Sequence, residues 1–431
     1  MLDKDAPILI IGAGTFGLST AYHFARAGHS NITVLEKSGA VPPADSAGND
    51  LNKIVRAEYE DPFYAELALE AMAAWKTDPL FSPHYHETGY LLANSAAAPD
   101  KAKKTLRKSL ASIQQHPAFR GKISPIVTRE DITKVAPVFD GPMQWKGYFN
   151  RFAGYAHAAD ALTAVYSACC ALGVAFRTGD AVASLTYATN PAGEARRCTG
   201  AVTAAGKRYT AALTVLALGA ALATVLPEVG RQVAANAWAV AHIQLTPEEA
   251  QRLRGIPVTY ARDLGFFFEP DRRTNLLKLC PSGAGYTNFV SSSSDGKKSV
   301  SVPPDFNDFI TPADEEKVRK LLRETLPGLA ERPLVNKHLC WCADTADSEY
   351  IVDFVPGTGG RSLIVASGDS GHAFKMLPVA GRWVVELAKA GAQEKGRWRW
   401  KAGQDAGGDV SWRIGRPVDL GEVPLGVRSK L

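Results

Sequence analysis

The chain has 431 residues, of which 46% are hydrophobic and 22% charged. That length suggests two or three domains, and that composition excludes a disordered, collagen-like or coiled-coil protein. Lys and Arg number 49 against 44 Asp and Glu, so the net charge of +5 is too dilute to argue for nucleic acid, and six cysteines are too few for a disulfide scaffold.

The first residues, MLDKDAPILIIGAG, lack the shape of a signal peptide. PILII (7–11) reads as a buried strand and GAGTFG (12–17) as a turn. STAYHFARAG (19–28) has helical periodicity, with Leu18, Tyr22 and Ala25 on one face and Gly28 as its cap. NITVLEK (31–37) is a second strand, so 7–37 forms a βαβ unit. Residues 38–50 are loop by their Pro, Gly, Ser and Asp content, and 61–76 are helix. The stretch 81–150 mixes short strands with a basic helix at 101–110, whose charges suit a solvated face. A helix at 158–173 ends on Gly173. Stretches 173–187 and 207–220 are expected to return as strands to the first sheet. The apolar run 211–226 has 16 residues and contains Gly219. It falls short of the roughly 20 that span a bilayer, so no membrane partner is expected. Residues 230–330 alternate strands (241–246, 265–270, 276–280) with a helix (313–326) and read as a second domain. Residues 361–391 read as strand, Gly-rich turn and helix. The chain closes on Ser429-Lys430-Leu431. This is the peroxisomal address, which predicts recognition by the peroxisomal import receptor.

Three features carry chemistry. Gly12, Gly14 and Gly17 follow a strand and open a helix, and Glu36 ends the next strand. Gly12 permits the tight turn, Gly14 admits a pyrophosphate to the backbone, and Gly17 lets helix and strand pack. The helix N-terminus offers free N–H groups, and Glu36 can accept from ribose hydroxyls. The fingerprint fits FAD and NAD equally. Second, Cys340-Trp341-Cys342 has no zinc spacing and no second Cys or His pair, so no metal is expected. By composition these cysteines read as small buried residues of a strand. Third, the turn Gly368-Asp369-Ser370-Gly371-His372-Ala373-Phe374-Lys375 lies between a buried strand and a helix. It can present N–H groups to a cofactor and a lysine to a substrate carboxylate.

These pieces together resemble the FAD-dependent amine oxidases related to monomeric sarcosine oxidase. The nearest likeness is the fungal branch of fructosyl amino acid oxidases (amadoriases) with saccharopine and pipecolate oxidases. The likeness spans nearly the whole chain and rests on IGAGTFGLSTAYHFAR, SAGNDLNKIVR, WKTDPLF, GFFFEPD, LCWCADTAD and SGDSGHAFKMLP. It implies an α/β (α+β) fold of glutathione-reductase type. A discontinuous Rossmann-like FAD domain would use 1–85, 150–228 and 335–431. An inserted substrate domain with a mixed sheet and helices would use 86–149 and 229–334.

The resemblance implies a monomer and FAD held through a cysteinyl thioether. Cys340, sixteen residues before Pro356, has the attachment spacing, and Cys342 is the fallback. On the cofactor side it places Thr15, Phe16, Lys37, Ser46 and Lys53 beside the glycine turn. It also places Val182, Gly219, Gly368 and Gly371 there, with His372, Phe374 and Met376. Lys278 matches the lysine that promotes reaction with oxygen. Arg56 and Lys375 match a substrate-carboxylate clamp, and Asp369 belongs to the substrate side. Amadoriases acting on fructosyl-lysine carry a Glu four residues after the oxygen-activating lysine, where this chain has Ser282. Arg416 matches the partner of that Glu only loosely. Ser282, the loop near Tyr59 and the C-terminal segment are expected to shape the pocket.

The expected activity is oxidation of the secondary amine of an N-substituted amino acid, with oxygen as acceptor and hydrogen peroxide as product. The substituent (fructosyl, glutaryl, cyclic or methyl) stays open. The alternatives are an NAD-linked dehydrogenase using the same fingerprint and a flavin-binding protein without turnover.

Overall fold

Ile8–Ile11 is wholly apolar and buried on both faces, as a central parallel strand must be. In the computed structural model, which describes residues 2–188, 196–291, 298–401 and 414–423, this strand centres a six-stranded sheet. Ile32–Glu36 and Leu213–Leu216 flank it in parallel. Ala175–Thr178 and Leu363–Ser367 extend the sheet in parallel, and Ile351–Phe354 closes one edge antiparallel. Helix Thr15–Arg26 crosses from the first strand to the second and packs on helices Ala158–Ala171 and Ala380–Ala390. The last approach is so close that a Cβ on Gly381 would stand 1.9 Å from Ser19 O.

A larger mixed sheet carries ten strands. At its centre Ala234–Gln244 pairs antiparallel with Leu276–Pro281 on one side and with Val335–Asp344 on the other. Gly265–Phe267, Val258–Ala261, Tyr90–Asn94, Lys146–Asn150 and Ile123–Ile126 continue it outward. Helix Pro312–Thr325 packs on this sheet through Val318, Leu321 and Leu322, and its first turn is capped by the Thr311 hydroxyl. A short third sheet is formed by Lys53–Val55, Gly154–Ala156 and Tyr85–His86. It carries the segment that assembles the site.

Several expected elements change. The stretch 173–187 is two strands, because Gly179 turns the chain with φ +75°. Only Ala175–Thr178 joins the first sheet, while Val182–Ala188 pairs with Arg197–Thr203 in a separate three-stranded sheet. Likewise 207–220 divides into Arg208–Thr210 of that small sheet and Leu213–Leu216 of the main one. The basic helix runs from Asp100 to Gln114, longer than 101–110, since its apolar face continues to Ile113. After the second glycine turn a 3-10 turn, Phe374–Met376, precedes the helix Ala380–Ala390. The expected boundary at 335 coincides with the first residue of a strand of the larger sheet.

Among the described residues no helix is long and apolar enough to cross a membrane. The run 211–226 becomes a strand, a turn at Gly219 and the short helix Leu222–Val225. Ser429-Lys430-Leu431 lies outside the described residues.

Candidate active site

The carboxyl ends of the parallel strands converge on the glycine turn. Gly12 takes φ +103°, and a Cβ there would sit 2.4 Å from Ala217 O, at the end of the neighbouring strand. A Cβ on Gly17 would meet Gly12 O at 1.8 Å. Only glycine allows both approaches. Gly14 caps helix Thr15–Arg26 with no side-chain acceptor and no acidic residue in the first turn. No side-chain acceptor therefore competes for the amides at this helix start, which suits a phosphate. The Glu36 carboxylate is buried and accepts from Ala13 N and Ser38 N, both at 2.9 Å.

The loop after Glu36 folds back over the turn. Ser46 Oγ accepts from Gly48 N, and a Cβ on Gly14 would stand 3.1 Å from Ser46 Oγ. A Cβ on Gly48 would press Thr15 Oγ1 at 2.8 Å. Phe16 packs edge-on against Tyr350, which lies under the second glycine turn. Lys37 and Asp45 pair at 2.8 Å on the exposed side. Gly219 turns the chain with φ +52° beyond the third strand. Val182 begins its strand two residues after Asp180 N donates to Glu36 O.

The second cluster is built on segment 50–59. Lys278 is buried, and its Nζ lies 2.5 Å from Asp50 Oδ2 and 2.8 Å from Asn52 O. Asp50 also holds Lys53 at 2.8 Å. Lys53 in turn reaches Cys340 Sγ at 3.7 Å. Burial would raise the Asp50 carboxyl, but Lys278 and Lys53 outweigh it and hold it far below the usual range. Burial likewise opposes the Lys53 charge, and Asp50 reverses that. A hydrogen bond from the Cys342 thiol and the Lys53 ammonium draw the Cys340 thiol below its ordinary pKa despite burial. Cys342, the partner in that bond and also buried, moves upward. His242 faces Lys278 across the strand pair, and burial lowers its pKa to about 4, so it adds no charge at neutral pH.

Arg56 follows the strand Lys53–Val55, and its guanidinium lies over the rings of Tyr59 and Tyr90, at 5.2 and 5.8 Å from their centroids. Lys375 is buried, donating to Tyr59 Oη at 2.9 Å and to His372 O at 2.7 Å. The Trp75 indole donates to Lys375 O, fixing the backbone, and Phe374 lies against that indole. Met376 is fully buried beneath the same turn. Among the described residues neither cation has a carboxylate in ion-pair contact. Burial first, then the Arg56 charge, pulls the Lys375 pKa well below that of an ordinary lysine. Glu58 stands close by, fully buried, its carboxyl raised by burial, with Oε1 taking a 2.6 Å bond from Asn150.

The turn at 368–372 takes its shape from Gly368 and Gly371, at φ +76° and +70°. The Asp369 carboxylate is committed to backbone amides, accepting from Ala343 N at 2.7 Å and Gly371 N at 3.0 Å. It ties the turn to the cysteine strand. His372 Nδ1 meets the hydroxyls of Tyr350 and Tyr59 at 2.9 and 3.2 Å. Ser282 follows the Lys278 strand directly, with a buried hydroxyl that has no partner. Arg416 is exposed, two residues before the short strand that pairs with Tyr286–Thr287.

The structure therefore joins Lys278 to Lys53 through Asp50, brings Lys53 to Cys340, and joins Arg56 to Lys375 through Tyr59. It leaves Arg416 and Lys37 on the surface. Sequence reasoning did not single out Asp50, Asn52 or Glu58. The one local signal was Asp50 standing three residues before Lys53, ion-pair spacing in an otherwise loop-like stretch. A dinucleotide fits these residues. The glycine cradle has no room for a Cβ, Glu36 is placed for ribose, and both amide atoms of buried Asn52 lack partners.

The comparisons agree with that fit. A family model described as FAD dependent oxidoreductase matches residues 7–387. L-saccharopine oxidase of Schizosaccharomyces pombe is 34% identical over 432 residues, covering 95% of this chain and 96% of that protein. The crystal structure of the deglycating enzyme fructosamine oxidase (Amadoriase II) from Aspergillus fumigatus superposes with a TM-score of 0.85 at 36% identity, covering 98% and 97% of the two chains. Fructosyl peptide oxidase from E. terrenum gives a TM-score of 0.88 at 32% identity, with 98% of each chain covered.

Proposed function

Since the chain belongs to the family of FAD-dependent oxidoreductases, we propose that it oxidises the secondary amine of an N-substituted amino acid with oxygen as acceptor. The NAD-linked alternative falls away with that membership. The observation that carries the reading is the pair Arg56 and Lys375. Two cations buried together without a carboxylate in contact oppose each other and cost stability. A substrate carboxylate offsets that cost, accepted bidentately by the Arg56 fork and completed by the Lys375 ammonium.

FAD, when bound, supplies the acceptor for a hydride equivalent and passes the electrons to oxygen. The chain's own residues do the rest. Gly12, Gly14, Gly17 and Glu36 hold the dinucleotide, and Cys340, in contact with the Lys53 ammonium, is the attachment point, with Cys342 as fallback. Arg56, Lys375 and Tyr59 orient the substrate so that one C–H reacts. The open-chain imine left on the substrate is hydrolysed by water. Lys278 supplies a fixed positive charge, anchored by Asp50 and Asn52 O, where oxygen takes on negative charge. Ser282 in place of an acid favours a carboxylate-bearing or uncharged substituent over a cationic one. The terminal Ser429-Lys430-Leu431 supports a peroxisomal location, which suits a producer of hydrogen peroxide.

The test is an anaerobic titration. The yellow protein should bleach with at least one of saccharopine, pipecolate, sarcosine or a fructosyl amino acid, and should form peroxide when air returns. Failure to bleach with every secondary amino acid would overturn the reading.

A further inference from the structure

Behind the carboxylate clamp lies a run of hydrogen bonds whose directions are fixed from its far end. Lys375 Nζ donates to Tyr59 Oη at 2.9 Å. The Tyr59 hydroxyl stands 3.2 Å from His372 Nδ1, and the Tyr350 hydroxyl stands 2.9 Å from the same nitrogen. On the other side of the ring, Nε2 meets Ser348 O at 2.9 Å. A carbonyl only accepts, so Nε2 carries the ring hydrogen and Nδ1 offers a lone pair. A second proton, on Nδ1, would set another cation one hydroxyl away from the Lys375 ammonium. Both tyrosines therefore turn their hydrogens towards Nδ1, and the Tyr59 lone pair is left for Lys375. The competing acceptor, His372 O, is taken by Lys375 at 2.7 Å and lies 3.4 and 3.5 Å from the two hydroxyls.

The far end is held at a cost. Ser348 takes φ +61°, a left-handed conformation that a residue with a Cβ adopts only under strain, and its carbonyl is the one that meets the ring. Thr345 fixes that loop, donating from Oγ1 to Glu349 O at 2.8 Å and from N to Ser370 Oγ at 3.2 Å. The ring itself is buried and stacks on Tyr350. The charges near Lys375 make the direction matter. From segment 50–59, Arg56 opposes the Lys375 charge, and Glu58 favours it without ion-pair contact. Glu349, in the Ser348 loop, is engaged by Tyr64 at 2.6 Å and by Arg397 at 3.0 Å, and Arg397 also holds Asp61. The ammonium thus depends on two oxygens, Tyr59 Oη and His372 O. A Tyr59 hydroxyl turned the other way would press a hydrogen against it.

We propose that His372 is a positioning residue of the clamp: its Nδ1 lone pair fixes the Tyr59 hydroxyl so that Tyr59 accepts from Lys375, and this keeps Lys375 a cation for the substrate carboxylate. The inference rests on the reading of Arg56 and Lys375 as that clamp. His372 touches neither the substrate nor the reacting atoms in this role. It acts through Tyr59, by deciding which way one hydroxyl points.

The test titrates the flavin-loaded protein with methoxyacetate and tetrahydropyran-2-carboxylate, oxygen analogues of sarcosine and pipecolate that have no amine to oxidise. Binding is read by flavin absorbance and by calorimetry across a range of about pH 6–10. In Tyr59→Phe the charged amine loses an acceptor, and in His372→Phe the Tyr59 hydroxyl loses its anchor. In both, the fall in affinity on raising the pH should begin about 1–2 units lower than in the wild type. The double variant should shift no further than Tyr59→Phe alone, since His372 acts through Tyr59. A His372→Phe profile that keeps the wild-type midpoint, even with weaker binding at every pH, shows a packing role only and overturns the proposal. So does a double variant that shifts beyond Tyr59→Phe. The tautomer is read directly by long-range proton–nitrogen correlation on protein with isotope-labelled histidine, the His372 signal being assigned by its change in Tyr350→Phe. A hydrogen on Nε2 and none on Nδ1 is expected. A hydrogen on Nδ1 at neutral pH overturns the proposal, whether or not the His372 variants fold. If neither carboxylate binds the wild-type protein, the clamp reading fails separately, and the spectrum still decides the form of His372.

Discussion

The glycine turn and the charged cluster are built in different ways. The turn is backbone: three glycines, a bare helix start and one carboxylate, all within residues 12–36. The cluster is side chain: Lys278 meets Asp50 across 228 residues, Lys53 meets Cys340 across 287, and Lys375 meets Tyr59 across 316. A backbone site tolerates almost no added atom. A side-chain site tolerates substitution of one member but loses one function at a time.

The strongest challenge to that contrast is Gly12→Ala. The φ of +103° and the 2.4 Å approach to Ala217 O leave no room for the methyl, so the strain is ~1–3 kcal/mol or more. The purified variant should retain little flavin absorbance and melt earlier. Full flavin occupancy would show that the turn is not close-packed. Next in size is Lys278→Met, which should bleach normally without air yet recolour about 10²–10³-fold more slowly with oxygen in stopped flow. Equal loss in both half-reactions would mean that Lys278 serves the fold and not oxygen.

A pH profile sharpens the picture of the carboxylate clamp. Burial and Arg56 lower the Lys375 pKa, so its charge is present at low pH and leaves before an ordinary lysine's would. Affinity for a carboxylate inhibitor should therefore weaken as pH rises towards about 10. Lys375→Arg, always charged, should flatten the profile even if it binds less well. Dissociation constants read from flavin absorbance across pH decide this, and a flat wild-type curve would remove Lys375 from the clamp. The smallest effect belongs to Lys37→Ala. Its pair with Asp45 is more than half exposed on both sides, so chemical denaturation should change by no more than about 0.5 kcal/mol.

Much of the first region was legible in the sequence. PILII, the glycine spacing and Glu36 follow from strand burial, turn geometry and hydrogen-bonding chemistry that act over a few residues. The split of 173–187 was missed because its apolar content looks continuous, while Gly179 alone turns the chain between two sheets. In the second region Lys278, Arg56 and Cys340 came from a family resemblance and not from local pattern, while Lys375 was also marked by the Gly-rich turn it follows. As bare residues, the two lysines read equally well as solvated surface, and the structure buries both. Asp50 went unnoticed because an acid in a Gly- and Asn-rich loop looks like turn chemistry. Only its contacts with two lysines reveal a shared counter-ion.

The sequence by itself determined that a dinucleotide would lie against the first turn, because that turn encodes its geometry in neighbouring residues. It also carried the full complement of charged and thiol groups. The tertiary structure alone decided which of them meet. Segment 50–59 meets both the Lys278 strand and the second glycine turn, so one carboxylate neutralises two lysines, while Arg56 and Lys375 face Tyr59 with no carboxylate at ion-pair distance. Their burial, with no carboxylate at ion-pair distance, turns ordinary surface cations into a site suited to an anion, and that arrangement depends on packing that no local stretch of chain specifies.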